Sequence, residues 1–64
     1  MKGNTIFYKD NNGNELKARI LDTILDFEQF NDQSEPIAVT KYLTIGSVHN
    51  EIRTVKPIQI QSIL

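Results

Sequence analysis

The chain has 64 residues, no cysteine, and seven Lys and Arg against eight Asp and Glu, which gives a formal net charge of −1. So short a chain forms one domain at most, residues 1–64, and without cysteine it has neither a disulfide framework nor a thiolate metal site. The start, MKGNTIFYKD, and the rest of the sequence contain no long apolar run, so we expect no signal peptide, no membrane partner and a cytoplasmic location.

The first predicted element is a β-hairpin in the segment TIFYKDNNGNELKARI. A loop of residues 11–13 with Gly13 in the left-handed conformation places an ion pair beside the turn and apolar pairs on one face. A shorter Asn12-Gly13 loop would set Asp10 against Glu15, two like charges that cost stability. The favoured register gives the cross-strand pairs Tyr8–Leu16, Ile6–Ala18 and Lys9–Glu15.

The segment NELKARILDTILDFEQF, residues 14–30, fits two structures. At helical spacing its apolar residues form one stripe, but Asp26 and Glu28 would then lie near the helix C-terminus, where the helix dipole disfavours negative charge. As a strand it needs one bulge near Ile20 and Leu21, and it leaves Ile24 exposed. We predict the strand; the alternative is an α+β fold with a helix at 15–28 packed on a small antiparallel sheet. The bulge would direct four residues inward: Leu21, Thr23, Leu25 and Phe27.

The second half of the chain is predicted to be a polar loop followed by three more strands. Residues 31–36 are polar and end in proline, so they form the loop. PIAVTKYLTI is a strand with apolar odd positions from 37 to 45, interrupted by Lys41, and a second face at even positions 38–44. GSVHN is a turn, EIRTV a shorter strand, KPIQ a turn or 3₁₀ step, and residues 60–64 the last strand.

This order of elements resembles the Src-homology-3-like small β-barrels, including the Tudor and KOW types. The segments that carry the resemblance are YKDNNGNELKARIL, EPIAVTKYL and IRTVKPIQI. It implies an all-β, five-stranded barrel in which FEQFNDQSEP is the long loop and KPIQ is the 3₁₀ turn before the last strand. The ALYDY-like run of the proline-binding members and the aromatic cage of the methyl-lysine readers are absent, so no family ligand is implied.

The sequence contains no complete catalytic, metal-binding or cofactor-binding constellation. His49 is the only histidine and lies in a predicted turn, so we interpret it as solvated. Asp22 and Asp26 form a solvated acidic face rather than an acid–base pair. The three glycines are too far apart for a phosphate-binding loop. We therefore expect a non-enzymatic protein without a cofactor.

The aromatic residues are the main candidates for binding. Tyr8 and Phe27 are assigned to the core. Exposed aromatic side chains beside basic residues can bind a peptide, a base or a neighbouring subunit. The predicted binding residues are Tyr42, Lys41, Arg53, Phe7 and Phe30.

These observations favour a binding module that acts through protein–protein interaction, as a small regulator or inhibitor. The first alternative is nucleic-acid binding through Lys41, Arg53 and Lys56 with stacking on Tyr42, which the slightly negative net charge disfavours. The second is a homo-oligomer that binds a small anionic ligand on these basic groups. Both a monomer and a self-associating chain fit the sequence, because short chains seldom gain enough stability from one small core.

Overall fold

The structure, a computed structural model, describes residues 2–64 and contains one sheet of five antiparallel strands. Their order across the sheet is β4-β3-β2-β1-β5, and a 3₁₀ turn at Pro57–Gln59 connects β4 to β5. The strands are β1 (Thr5–Lys9), β2 (Glu15–Glu28), β3 (Ile37–Gly46), β4 (Ile52–Val55) and β5 (Ile60–Ile63).

The predicted all-β class, the number of strands and the 3₁₀ turn before the last strand are confirmed. The alternative with a helix at 15–28 is wrong, because these residues form β2. Within residues 2–64 no ladder joins β4 to β5, so the sheet is open and not a closed barrel. None of the helical structure in this range is long and apolar enough to cross a membrane.

The β1–β2 hairpin has the predicted register and the predicted turn. Its pairs include Tyr8 with Leu16 and Ile6 with Ala18. Lys9 also lies opposite Glu15, but among residues 2–64 the two side chains do not form the predicted ion pair. Gly13 has φ 82° and donates its N–H to the Asp10 carbonyl at 3.0 Å. The Asp10 carboxylate accepts the N–H groups of Asn12 and Asn14, each at 2.9 Å. Hydrogen bonds from the backbone therefore hold the two strands in one alignment.

The predicted bulge in β2 is also confirmed. Ile20 pairs with Thr44 and Asp22 pairs with Leu43, so Leu21 has no partner on β3. This extra residue reverses the alternation of side chains. Ile20 is buried, and beyond the bulge Thr23, Leu25 and Phe27 lie on the same side of the sheet as Ile20.

The core is small and lies under the centre of the sheet. Its only buried polar side chain among residues 2–64 is Thr44, whose hydroxyl donates to the Arg53 carbonyl at 3.1 Å. Because Thr44 and Tyr42 face the core, the even positions of β3 form its inner face. The buried apolar residues are Ile6, Tyr8, Ala18, Ile20 and Val55, with Leu16, Tyr42 and Ile60 packed against them.

The long strands β2 and β3 extend beyond their neighbours. β1 pairs only with residues 15–19 of β2, and β4 pairs only with residues 42–45 of β3. Residues 22–28 of β2 therefore have no strand on their outer edge, and residues 24–28 pair with 37–41 as a two-stranded ribbon. The molecule measures 40 × 24 × 19 Å. β2 continues to Glu28, so the loop comprises residues 29–36 and begins later than the predicted FEQFNDQSEP.

Candidate interaction surface

One face of the ribbon carries large apolar side chains that the described residues leave mostly exposed. Leu25 is 71% exposed and Phe27 is 68% exposed. Their ladder partners on this face are Thr40 and Ala38. We call these four residues the apolar face of the ribbon. The prediction that Phe27 belongs to the core is wrong, because β1 and β4 end before they could cover it.

The apolar face continues in both directions along the sheet. At the tip of the ribbon, Phe30 is 70% exposed in the 29–36 loop. Toward the body, Tyr42 lies on the same side of the sheet and pairs with Thr23. Tyr42 also lines an open depression of about 410 Å³ with Pro57, Ile60 and Ile63. The core side of the sheet therefore continues beyond the buried residues as an apolar surface that is exposed.

The opposite face of the ribbon is charged and internally paired. The Lys41 ammonium lies 2.9 Å from the Asp26 carboxylate and 3.1 Å from that of Glu28. Lys56 reaches Glu28 at 2.9 Å. The hydrogen bond from Lys41 lowers the pKa of Asp26, and the hydrogen bonds from Lys56 and then Lys41 lower the pKa of Glu28. In return, Asp26 and then Glu28 raise the pKa of Lys41. These cations are therefore already matched by carboxylates.

The structure does not bring the five predicted binding residues together. Lys41 and Tyr42 are consecutive in β3, so their side chains lie on opposite faces, and Tyr42 is half-buried against the core. The Arg53 side chain lies on β4, 3.9 Å from Glu51. Phe30 is in the loop at the ribbon tip, while Phe7 is half-buried on the outer face of β1.

A second surface lies on the outer face of the β1–β2 hairpin. The Lys17 ammonium sits 5.8 Å from the centre of the Phe7 ring, in the range of a cation–π contact. Lys17 and Arg19 line a polar depression of about 360 Å³ together with Thr5, Ser47 and Asn50. Within residues 2–64 neither Lys17 nor Arg19 forms a salt bridge. Among residues 2–64, Lys17 and Arg19 on β2 are thus without a salt bridge, whereas Lys41 on β3 is paired with carboxylates.

The exposure of Leu25 and Phe27 was not predicted from the sequence. Neither Lys17 nor Arg19 was predicted as a binding residue, although both lack a salt bridge among residues 2–64. Alternation places Leu25 and Phe27 on the core side, and only the unequal lengths of the strands show that no neighbour covers them. The signal for Lys17 and Arg19 was their outward position beside Phe7 in the predicted hairpin register.

The fold and this surface define a small all-β protein with an open sheet and a projecting apolar ribbon. Across the residues that the structure describes, no group of three or more His, Asp or Glu side chains could hold a metal ion. Comparison of the chain with protein-family models, curated proteins and solved structures gave no match.

Proposed function

We propose that this protein is a non-enzymatic binding module that acts through protein–protein interaction, with the apolar face of the ribbon as its contact surface. The observation that carries the proposal is the exposure of Leu25 and Phe27, neighbours on one face and each more than two-thirds exposed. Single exposed apolar residues are ordinary on protein surfaces, whereas contiguous apolar patches mark interaction sites. The order of strands supports placing the module among the Src-homology-3-like folds.

The proposed contact has enough apolar surface to matter energetically. Full burial of one Leu or Phe side chain gives about 1.5–3 kcal/mol, and interface energy is concentrated in a few such residues. Phe30 and Tyr42 extend the surface at its two ends. The projecting shape of the ribbon suits a groove on the partner, so the module acts as a cytoplasmic regulator or inhibitor by occupying that groove.

The test is quantitative capture of partners from a lysate of the source cells. The wild-type protein is compared with the Leu25→Asp/Phe27→Asp double variant, which places charge on the apolar face while leaving the core intact. Val48→Asp is the matched control, because Val48 is 79% exposed in the β3–β4 turn. We expect the double variant to lose the partners that Val48→Asp retains. Equal capture by all three proteins would contradict the proposal.

Nucleic-acid binding is the second candidate, and it is supported at a different place from the one predicted. Lys41 and Lys56 are paired with Glu28. Lys17 lies over the Phe7 ring, and Arg19 lines the same depression as Lys17; neither cation has a carboxylate partner among residues 2–64. An aromatic ring flanked by cations is a known platform for single-stranded nucleic acid. A steep fall in affinity for single-stranded RNA as salt increases, lost in Lys17→Ala/Arg19→Ala, would support this candidate. The same two side chains would hold the small anionic ligand of the homo-oligomer alternative.

A further inference from the structure

The two edges of the ribbon differ in how their backbone groups are satisfied. On the β2 edge, the N–H groups of Thr23 and Phe27 point away from β3. The Asp22 carboxylate accepts the N–H of Thr23 at 2.8 Å, and the Asp26 carboxylate accepts that of Phe27 at 2.8 Å. Charged side chains that cover edge amides in this way prevent another strand from pairing there.

The β3 edge has no such protection. β4 stops pairing with β3 at Tyr42, so the backbone groups of Ala38 and Thr40 on the outer side of β3 have no strand partner. Among residues 2–64 the side-chain hydrogen bonds that involve β3 are those of Lys41 and Thr44, and neither reaches these backbone groups. Residues 37–40 are uncharged, and both Ala38 and Thr40 are exposed. An unpaired, uncharged edge is a template for another strand.

We propose that a second copy of the chain adds to this edge, with residues 37–41 of the two copies paired antiparallel about a two-fold axis at Val39. Ala38 of each copy then exchanges backbone hydrogen bonds with Thr40 of the other copy. Val39 faces Val39 of the second copy in a non-hydrogen-bonded pair. This proposal concerns the edge and does not depend on the proposed function of the apolar face.

The charges along the β3 edge favour a second copy of the chain as the strand that pairs with it. In this pairing Lys41 lies opposite Ile37 of the second copy, so no like charges meet, and Lys41 keeps its own partners Asp26 and Glu28. The same two-fold pairing of the β2 edge about Leu25 would set Asp22 against Glu28, which like-charge repulsion disfavours. The β3 edge is thus self-complementary, as a two-fold interface requires, and the β2 edge is not.

The consequence is one continuous sheet made from β2 and β3 of both copies. Its two apolar faces lie side by side, with the small residues Ala38 and Thr40 at the centre and Leu25 and Phe27 on the flanks. Dimerisation therefore doubles the apolar surface instead of hiding it. Since the paired edge is short, the dimer is expected to be weak and concentration-dependent.

Single-cysteine variants provide the test, because the chain has no cysteine of its own. In a non-hydrogen-bonded antiparallel pair the Cα atoms are about 4.5 Å apart, within the range that a disulfide spans. We therefore expect Val39→Cys to form a disulfide-linked dimer under mild oxidation. Ile37→Cys lies on the same strand and face but away from the two-fold axis, and Val48→Cys is in the exposed turn; both should remain largely monomeric.

Failure of Val39→Cys to cross-link faster than Val48→Cys would overturn the proposal. Preferential cross-linking of Ile37→Cys would overturn it as well, because it requires another register. Amide exchange of the wild-type protein provides a second measurement without substitution. Protection of the Ala38 and Thr40 amides should increase with protein concentration, and protection that is independent of concentration would count against the dimer. Partner capture by Leu25→Asp/Phe27→Asp tests the proposed function separately, since this variant leaves the β3 edge unchanged.

Discussion

At the scale of single residues, the first hairpin is determined by a few side chains with definite roles. Gly13 supplies a positive φ of 82°, and the Asp10 carboxylate accepts two backbone N–H groups across the turn. The backbone hydrogen bonds from Asn14 and Asn12 lower the pKa of Asp10. The turn was predictable from the sequence because Asn and Gly in a short loop between two strands are typical of a β-hairpin.

Substitution of Gly13 by alanine should destabilise the protein by about 1–2 kcal/mol, because an L-residue is strained in the left-handed conformation. Gly13→Asn should cost clearly less, since asparagine tolerates this conformation better than alanine. Urea unfolding of the three proteins measures both effects. Equal stability of Gly13→Ala and wild type would show that the turn does not have this geometry.

Acidification should destabilise the protein through Asp10, Asp26 and Glu28. Their pKa values lie below the ordinary values of 3.8 for Asp and 4.5 for Glu, so each group binds protons more readily in the unfolded chain. Their stabilisation is therefore complete above those values and is lost as the pH falls through the lowered pKa of each group. Urea unfolding between pH 7 and pH 2 should show the loss, and Asp26→Asn/Glu28→Gln should make the slope shallower. A flat profile for wild type would contradict the ion pairs.

At the scale of elements, β2 shows both what a sequence pattern can predict and where it fails. Alternation and one bulge predicted its extended conformation and the side on which Leu25 and Phe27 lie. The pattern could not predict their exposure, because burial depends on which neighbouring strand continues alongside, and that is a property of the whole sheet. The pairing of Lys41 with Asp26 and Glu28 depends equally on a register that brings together residues distant in sequence.

Removal of the Asp22 carboxylate should open the β2 edge. In Asp22→Ala the Thr23 N–H loses its acceptor, so its amide should exchange faster with solvent and the protein should aggregate more readily. Asp32→Ala, in the exposed loop, makes the same change in net charge and serves as the control. Hydrogen exchange and light scattering are the measurements. Aggregation that rises equally in both variants would indicate a general charge effect and not protection of the edge.

At the scale of the whole molecule, the fold has two parts with different stability. The body holds all the buried apolar residues of the described chain, and the ribbon consists of two strands whose inner face is open. Two strands alone are at most marginally stable in water, so the ribbon depends on the body for its order. The succession of strands along the chain was predictable from turns and alternation. The open sheet and the projection of the ribbon depend on strand lengths fixed only in the assembled fold.

Truncations in the two parts should therefore have different costs. Ile20→Ala, in the buried core, should destabilise the protein by about 2–5 kcal/mol. Leu25→Ala removes a side chain that is already in water and should change the free energy of unfolding by less than about 0.5 kcal/mol. Chemical denaturation of both variants measures the difference. A large loss for Leu25→Ala would mean that Leu25 is covered, which would remove the basis of the proposed contact surface.

The register of the ribbon supports the exposed surface, the proposed partner contact and the edge pairing alike. Nuclear Overhauser contacts between Hα atoms measure it directly, because these atoms are close in non-hydrogen-bonded antiparallel pairs. The expected strong contacts are Thr23 with Tyr42, Leu25 with Thr40, and Phe27 with Ala38. Contacts shifted by one residue would turn Leu25 and Phe27 to the opposite face, and a helical pattern would remove the ribbon; either result would contradict this account.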